Sequence, residues 1–311
     1  MPYTFRDQVP LNVPSLARSK RGWHWVYSTW ISLFALSGAA LGLSGFSLWW
    51  YARKIEPHWI DWHHCSLPIR GLPRPFDGYR IVQLSDLHLT EGRPLTPIRL
   101  ARIVIRVNRL NPDLIAITGD FVSQLDALSR EGIAQLGGLH ARDGVYCVPG
   151  NHDYWSDAEE LKSVTSDFGL RWLINSHTTI YRNSATLTIA GVDDPWEGRP
   201  DLDRALRGAP LNAPVVLLVH APNFADVAVH YKQIVLQLSG HSHGGQVRIP
   251  GLGPLALPDQ AWRYPIGLQH IKTKENNRGL WVYTNRGLGM AEIPFRFHCR
   301  PEVTILTLRT A

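Results

Sequence analysis

The sequence predicts an α/β domain of about 230 residues, preceded by one membrane-spanning helix. Three observations carry this reading. Beyond Tyr79, short β-rich runs alternate with stretches of helical periodicity, the pattern of βαβ units with right-handed crossovers. Five of the β-rich runs end in Asp, Asn or His. Between Val26 and Tyr51 there is no charged residue.

Residues 1–25 form a basic tail carrying Arg6, Arg18, Lys20 and Arg21. The stretch 26–51 is long enough to cross a hydrocarbon core, which needs about 20 residues at 1.5 Å each. Trp23, Trp25, Tyr27 and Trp30 mark one end and Trp49, Trp50 and Tyr51 the other, as in an interfacial aromatic belt. A cleaved signal peptide would be shorter and would end in small residues, whereas the small residues around Ala35–Ala40 fall in mid-stretch. Basic residues ahead of the span exceed Arg53, Lys54 and Arg70 behind it by one. That excess places the N-terminus in the cytoplasm and the bulk of the chain on the other side.

Residues 52–78 contain four prolines and read as a linker; their His58, His63, His64 and Cys65 match no zinc spacing. Residues 79–311 then form the folded domain. "YRIVQLSD" is a strand, "TPIRLARIVIRVNRLNP" an amphipathic helix and "DLIAITGD" a second strand. A helix covers Gln124–Leu139. "GVYCVPGNHD" is strand then turn, and a helix over Asp157–Phe168 is capped by Ser156 or Asp157. After Trp172 the texture is strand-rich, with a hairpin turn at Asn183 in "RNSA".

The formal charge of +6 and pI near 9.3 fit an anionic surface or substrate. No basic run or aromatic-lined basic segment supports nucleic-acid binding. Cys147 lies in an apolar run and reads as a buried thiol, while Cys65 and Cys299 would pair only in an exported chain.

The chemistry lies where the strands stop. Asp86 and His88 follow "IVQLS", Gly119 and Asp120 follow "LIAIT", and Gly150, Asn151, His152 and Asp153 follow "GVYCVP". His220 follows "VVLLV", and Gly240, His241 and His243 follow "IVLQLS". In open α/β sheets the carboxyl ends of the strands form one rim, so these residues should converge. Any one of them alone is an ordinary turn or cap residue. Together they offer carboxylates, an amide oxygen and imidazoles without thiolate, a donor set for Mn²⁺, Fe²⁺ or Zn²⁺. They are too many for one ion with open positions and fit two ions about 3.5–4 Å apart, which activate a water for attack on a phosphoryl group.

Asp86-x-His88, Gly119-Asp120, Gly150-Asn151-His152-Asp153, His220 and Gly240-His241-Ser242-His243 resemble, in order, the five-block signature of calcineurin-like metallophosphoesterases. The resemblance implies a four-layer α/β/β/α sandwich with a dinuclear site. It implies that Asp86, His88 and His243 hold one ion, that Asn151, His220 and His241 hold the other, and that Asp120 bridges them. It also implies that His152 protonates the leaving oxygen and that Asp153 fixes the tautomer of His152. "GHSHGGQVRIPGLGPLALP", "YPIGL", "VYTNRGLG" and "CRPEVTILTL" are further similar to the YaeI/YkuE-type bacterial phosphodiesterases. That similarity spans residues 79–311.

The expected protein is therefore a phosphodiesterase (or pyrophosphatase) with two divalent ions, manganese first and iron or zinc next. It is tethered to a bacterial inner membrane, faces the extracytoplasmic side, and acts on a substrate that can be lipid-linked. A UDP-2,3-diacylglucosamine pyrophosphatase and a catalytically silent scaffold are the alternatives; the scaffold would be expected to lack ligands or His152. Arg263, Arg286 and Arg296 are either substrate contacts or structural residues. "GVDDPW" (Gly191–Trp196) is either a pocket wall or a hairpin end.

Overall fold

The computed structural model describes residues 42–311. The chain divides after Trp49, and Trp50–Ala311 is a unit of its own. Residues 42–50 are helical (α1), with Leu43, Phe46 and Trp49 exposed. The rest of the expected anchor, residues 26–41, lies outside the described residues. Among those described, no helix is long and apolar enough to cross a membrane.

Two six-stranded mixed sheets organise the larger unit, with a separate two-stranded hairpin of β10 (Arg248–Ile249) and β11 (Gly253–Pro254). In spatial order the first contains β1 (Asp61–Ile69), β14 (Glu302–Thr310), β2 (Arg80–Leu84), β3 (Leu114–Thr118), β4 (Val145–Val148) and β5 (Arg171–Trp172). Strands β2 to β5 run parallel, and β14 is antiparallel to β2. The second sheet contains β12 (Gly267–Ile271), β13 (Leu280–Thr284), β9 (Ile234–Ser239), β8 (Val215–Leu218), β7 (Ala185–Gly191) and β6 (Ser176–Arg182). Its four inner strands are parallel and its two edges antiparallel.

The apolar runs read as strands because successive side chains enter different cores. In β3, Ile115 and Ile117 pack under helices α2 (Pro97–Arg109), α3 (Ala127–Leu136) and α5 (Ala158–Asp167), while Leu114 and Ala116 face the other sheet. In β8, Val216 and Leu218 face the first sheet, while Val215 and Leu217 pack with residues of α6 (Leu202–Leu206) and α7 (Ala225–Ala228). Strands buried on both faces lose polar alternation and become continuous apolar runs. The layers are thus helices, sheet, sheet, helices.

Local signals set the helix bounds. Thr96 caps α2 by accepting from the Arg99 amide, and Leu100, Ile103, Val104 and Val107 form its buried stripe. Asp157 caps α5 by accepting from the Glu160 amide. Helix α3 is shorter than its apolar pattern suggested, because Asp126 is its cap and Gly137 follows its last residue. Asn183 takes φ +56° in the β6–β7 turn, as expected of the hairpin.

One boundary is corrected. Residues 61–69, read as part of a linker, are strand β1, paired in parallel with β14 over nine positions. Its Leu67 and Ile69 are buried in the core between the sheets. It is an edge strand, so Pro68 needs no ladder donor there. The folded unit therefore begins near Trp50, about 30 residues earlier than the sequence pattern indicated.

Candidate metal centre

Five parallel strands deliver the site. Asp86 and His88 leave β2, Asp120 leaves β3, and Asn151 to Asp153 open helix α4 (Asn151–Ser156) after β4. His220 leaves β8, and His241 and His243 leave β9. The two rims are tied across the gap between sheets. The His241 amide donates to Asp86 Oδ1 (2.9 Å), and Gln83 Nε2 donates to the Ser239 carbonyl (2.9 Å).

Close backbone approach makes small residues obligatory at the crossing. A Cβ on Gly240 would lie 1.9 Å from Ser85 Oγ and 2.3 Å from Asp86 Oδ2. A Cβ on Gly119, whose φ is +87°, would lie 2.5 Å from His220 Nδ1.

Two constellations share one carboxylate. Asp86, His88, Asp120 and His243 form the first, and Asp120, His220 and His241 the second. In each, one ligand atom per residue lies within 4.8 Å of the others, and all six residues are buried. Asp120 Oδ2 is 3.4 Å from His88 Nε2 and 3.1 Å from His220 Nε2, so the same oxygen faces both groups. His88 Nε2 and His243 Nε2 stand 3.0 Å apart, and His241 Nδ1 is 3.2 Å from His220 Nε2. Imidazole nitrogens turned toward one another and toward a carboxylate leave room for cations between them.

The far side of each ring is anchored. His88 Nδ1 meets Ser123 Oγ (3.0 Å), His220 Nδ1 meets the Thr118 carbonyl (2.7 Å), and His241 Nε2 meets the Asp259 carbonyl (2.7 Å). A carbonyl accepts from the N–H form, so the inward nitrogen is a lone-pair donor in neutral His241, and becomes one in His220 once a cation displaces its second proton.

Three of the four imidazoles are held neutral, while His220 and Asp86 favour a proton that a bound cation would displace. Burial pushes His88 down to about 3 and His241 down to about 4, and it holds His243 well below the ordinary value. Burial likewise opposes charge on His220, but Asp120, Asp86 and Asp194 around it win and hold its pKa well above the ordinary value. Burial would raise Asp120, yet His220 and His88 hold its carboxyl well below the usual range. Asp86 is pushed up to about 7 by burial.

Two further atoms complete the fit. Asp86 Oδ2 and Asn151 Oδ1 are buried oxygens without a hydrogen-bond partner among the described residues. A buried oxygen without a donor costs about 1–3 kcal/mol, which a bound cation would remove. The donor set therefore fits two divalent ions, and Asn151 lines the same cleft as Asp120 and His241.

His152 and Asp153 behave differently from each other. The His152 ring is half-buried and sits edge-on to His88 (4.7 Å) and Trp155 (4.6 Å) in the wall of the cleft. Asp153 does not orient that ring. Its Oδ1 accepts the amides of Phe121 and Val122 (2.8 and 3.4 Å), and its Oδ2 accepts those of Asp120 and Gly150 (3.0 and 2.9 Å). Four backbone donors saturate the carboxylate, so Asp153 clamps the loop after β3 onto the start of α4. The tautomer role expected of it is corrected accordingly.

The three arginines considered in the sequence are structural. Arg263 pairs with Asp226, Arg286 with Asp61 and Glu302, and the fully buried Arg296 donates to the carbonyls of Cys299, Arg286, Gly287 and Gly289. The residue missed was Arg93, in "TEGRP" just beyond His88, which lines the cleft beside His152. Its position five residues past His88 was the available signal. Cys65 and Cys299 are unpaired. "GVDDPW" ends as cleft wall: Asp194 accepts the Trp196 and Glu197 amides (2.9 and 2.8 Å), and Trp196 lines the cavity.

Residues 79–245 match the profile of the calcineurin-like phosphoesterase family. The metallophosphoesterase YkuE of Bacillus subtilis is 34% identical over 280 residues, which are 89% of this chain and 94% of that protein. The phosphodiesterase YaeI of Escherichia coli is 30% identical over 270 residues, 85% of this chain and 93% of its own length. A transmembrane protein with metallophosphoesterase domain from Danio rerio is 34% identical over 262 residues, covering 79% of this chain and 56% of that protein.

Proposed function

Because the chain belongs to the calcineurin-like phosphoesterase family and is a phosphoric ester hydrolase, we propose that it is a membrane-tethered phosphodiesterase working with two divalent ions. The observation that carries this is the pair of buried constellations sharing Asp120, together with the orphaned oxygens of Asp86 and Asn151. Asp86, His88 and His243 would hold one ion, Asn151, His220 and His241 the other, and Asp120 both. Bound there, the ions would lower the pKa of a water and neutralise phosphate charge. Manganese is the ion of first choice, since the set is hard oxygen and imidazole without thiolate.

The chain's own residues supply the rest. Water oxygen forms a new P–O bond on the phosphorus as the bond to the departing alcohol breaks, and His152 gives its proton to the departing oxygen. His152 alone among the site's imidazoles belongs to neither constellation while lining the open cleft. Diester specificity is favoured by the likeness to YaeI, a protein named as a phosphodiesterase. Tethering is favoured by the uncharged stretch 26–51 and by the Danio rerio relative's description as a transmembrane protein. On the charge balance around that stretch, the domain faces the extracytoplasmic side of a bacterial inner membrane.

The test is a screen of the purified full chain with Mn²⁺ against bis-p-nitrophenyl phosphate, p-nitrophenyl phosphate and UDP-2,3-diacylglucosamine. The diester should turn over at least about tenfold faster than the monoester, a difference of about 1.4 kcal/mol in barrier. Release from the diester no faster than in the metal-free protein would overturn the reading.

A further inference from the structure

The cleft above the metal-ligating residues has two arms that meet at His152, Trp155, Ala291 and Glu292. The first arm, about 340 Å³, is walled beyond those residues by Trp196, Leu257, Pro258 and Ile293. The second, about 420 Å³, is walled instead by Thr90, Glu91, Arg93, Ser123 and Gln124. One side of the leaving-group position is therefore apolar, and the other is polar, with Arg93 its one arginine beside the carboxylates of Glu91 and Glu292.

Neither wall is accounted for by folding. Trp155 and Trp196 remain 51% and 41% exposed, although their rings lie against His152 and His241 and 5.6 Å from each other. Large apolar side chains left open beside a reacting centre are the usual mark of a ligand surface. Arg93 is half-buried and, among the described residues, has no hydrogen bond or ion pair, unlike Arg263, Arg286 and Arg296. Arg93 shares its arm with His152, whose ring lies 4.7 Å from that of His88, so an anion beside the metal centre would face this arm.

We infer that the two arms divide one amphipathic phosphoester, with a hydrocarbon substituent against Trp155 and Trp196 and a second anionic group of the polar head against Arg93. This rests on the phosphoesterase reading for the position of the phosphate. A guanidinium fork without an internal partner matches a phosphate or carboxylate, whereas the tryptophan arm holds no arginine or lysine, its carboxylates being Asp120 of the metal centre and the Glu292 shared by both arms. The headgroup then has only one arm that suits it, which fixes the direction in which the substrate lies.

The test is calorimetric binding to the Mn²⁺-loaded full chain, using methyl, butyl and hexyl phosphate and methyl diphosphate. Affinity should rise at least about tenfold from methyl to hexyl, well inside the limit set by about 0.8 kcal/mol per buried methylene. Trp196→Ala should cut that gain below about threefold while methyl phosphate binds within about twofold of wild type. Arg93→Ala should weaken methyl diphosphate about tenfold and leave the alkyl gain intact, with Arg93→Lys recovering part of the loss. Affinity independent of chain length, a gain that survives both Trp196→Ala and Trp155→Ala, or unchanged diphosphate binding in Arg93→Ala would each overturn the division. Turnover of bis-p-nitrophenyl phosphate is read separately. Binding trends without turnover would sink the phosphodiesterase reading alone, and turnover with flat binding would sink the two arms alone.

Discussion

Replacing Asp153 by alanine tests whether this carboxylate is a clamp or a catalytic accessory. In the structure it is fully buried and accepts the amides of Asp120, Phe121 and Gly150 at 2.8 to 3.0 Å, with Val122 a weaker fourth at 3.4 Å. Alanine would orphan three well-bonded amide donors in a space without other acceptors. Each costs about 1–3 kcal/mol, and a water entering the vacated volume would recover part, so the net loss is about 3–5 kcal/mol. That is a large share of a typical 5–15 kcal/mol of stability. With a urea slope near 3 kcal/mol per molar, the unfolding midpoint should fall by about 1 M or more. Asp153→Asn should fall almost as far, because its amide nitrogen would meet backbone donors instead of accepting from them. The assay is urea unfolding of the metal-free full chain, followed by tryptophan fluorescence. A midpoint within about 0.3 M of wild type in both variants, with turnover lost, would refute the clamp and restore a role at the reacting centre.

Three further outcomes follow from the same geometry, and a fourth from the uncharged stretch 26–51. Asp120→Asn halves the charge-bearing oxygens at the shared position, so diesterase activity should drop by at least about 100-fold and bound metal should fall below two ions per chain; near-normal metal content and rate would exclude the shared role. His152→Ala should keep its metal while losing about 10²–10⁴ in kcat, checked by elemental analysis alongside kinetics. Gly240→Ala drives a methyl into Ser85 and Asp86 and should either fail to fold or lose metal from the Asp86 side, visible as a halved metal content. The full chain should stay in the membrane pellet through a carbonate wash, and recovery of a shortened soluble form would contradict the anchor.

What was legible in the sequence is what depends on one residue and its strand. The apolar spacing of "TPIRLARIVIRVNRLNP" announced α2, Asp157 its helix and Asn183 its hairpin, and each candidate metal ligand stood at the end of an apolar run. What was not legible depends on a partner far along the chain. Strand β1 carries His63, His64 and Pro68 and has no apolar run of its own; it is a strand because β14, some 240 residues later, offers an open edge. Arg286 and Arg296 stayed open between substrate contact and structural residue because nothing local reveals that Glu302 and four loop carbonyls consume them. Asp153 sits beside His152 in sequence, yet helix α4 turns the two side chains apart, one into the β3 loop and one into the cleft.

The rim itself shows why its residues were so easy to read. Asp86, His88, Asp120, His241 and His243 all have positive φ, between +45° and +67°. Left-handed backbone costs about 1 kcal/mol or more at a residue with a Cβ, and β-branched side chains tolerate it worst. The turns persist because their backbone is bonded across strands: the Asp86 amide donates to the Gly119 carbonyl (3.0 Å), His88 to Asp120 (3.1 Å) and Gly240 to His220 (3.0 Å). Those bonds fix where each side chain starts, so ligands from five strands arrive already aimed. Asp, Asn, His and Gly are the residues that best accept such a backbone. Asp, Asn and His are also oxygen and nitrogen donors for hard or borderline cations. Conformation and chemistry thus select from the same few residue types at the same positions, which leaves at each strand end a pattern that few other sequences satisfy.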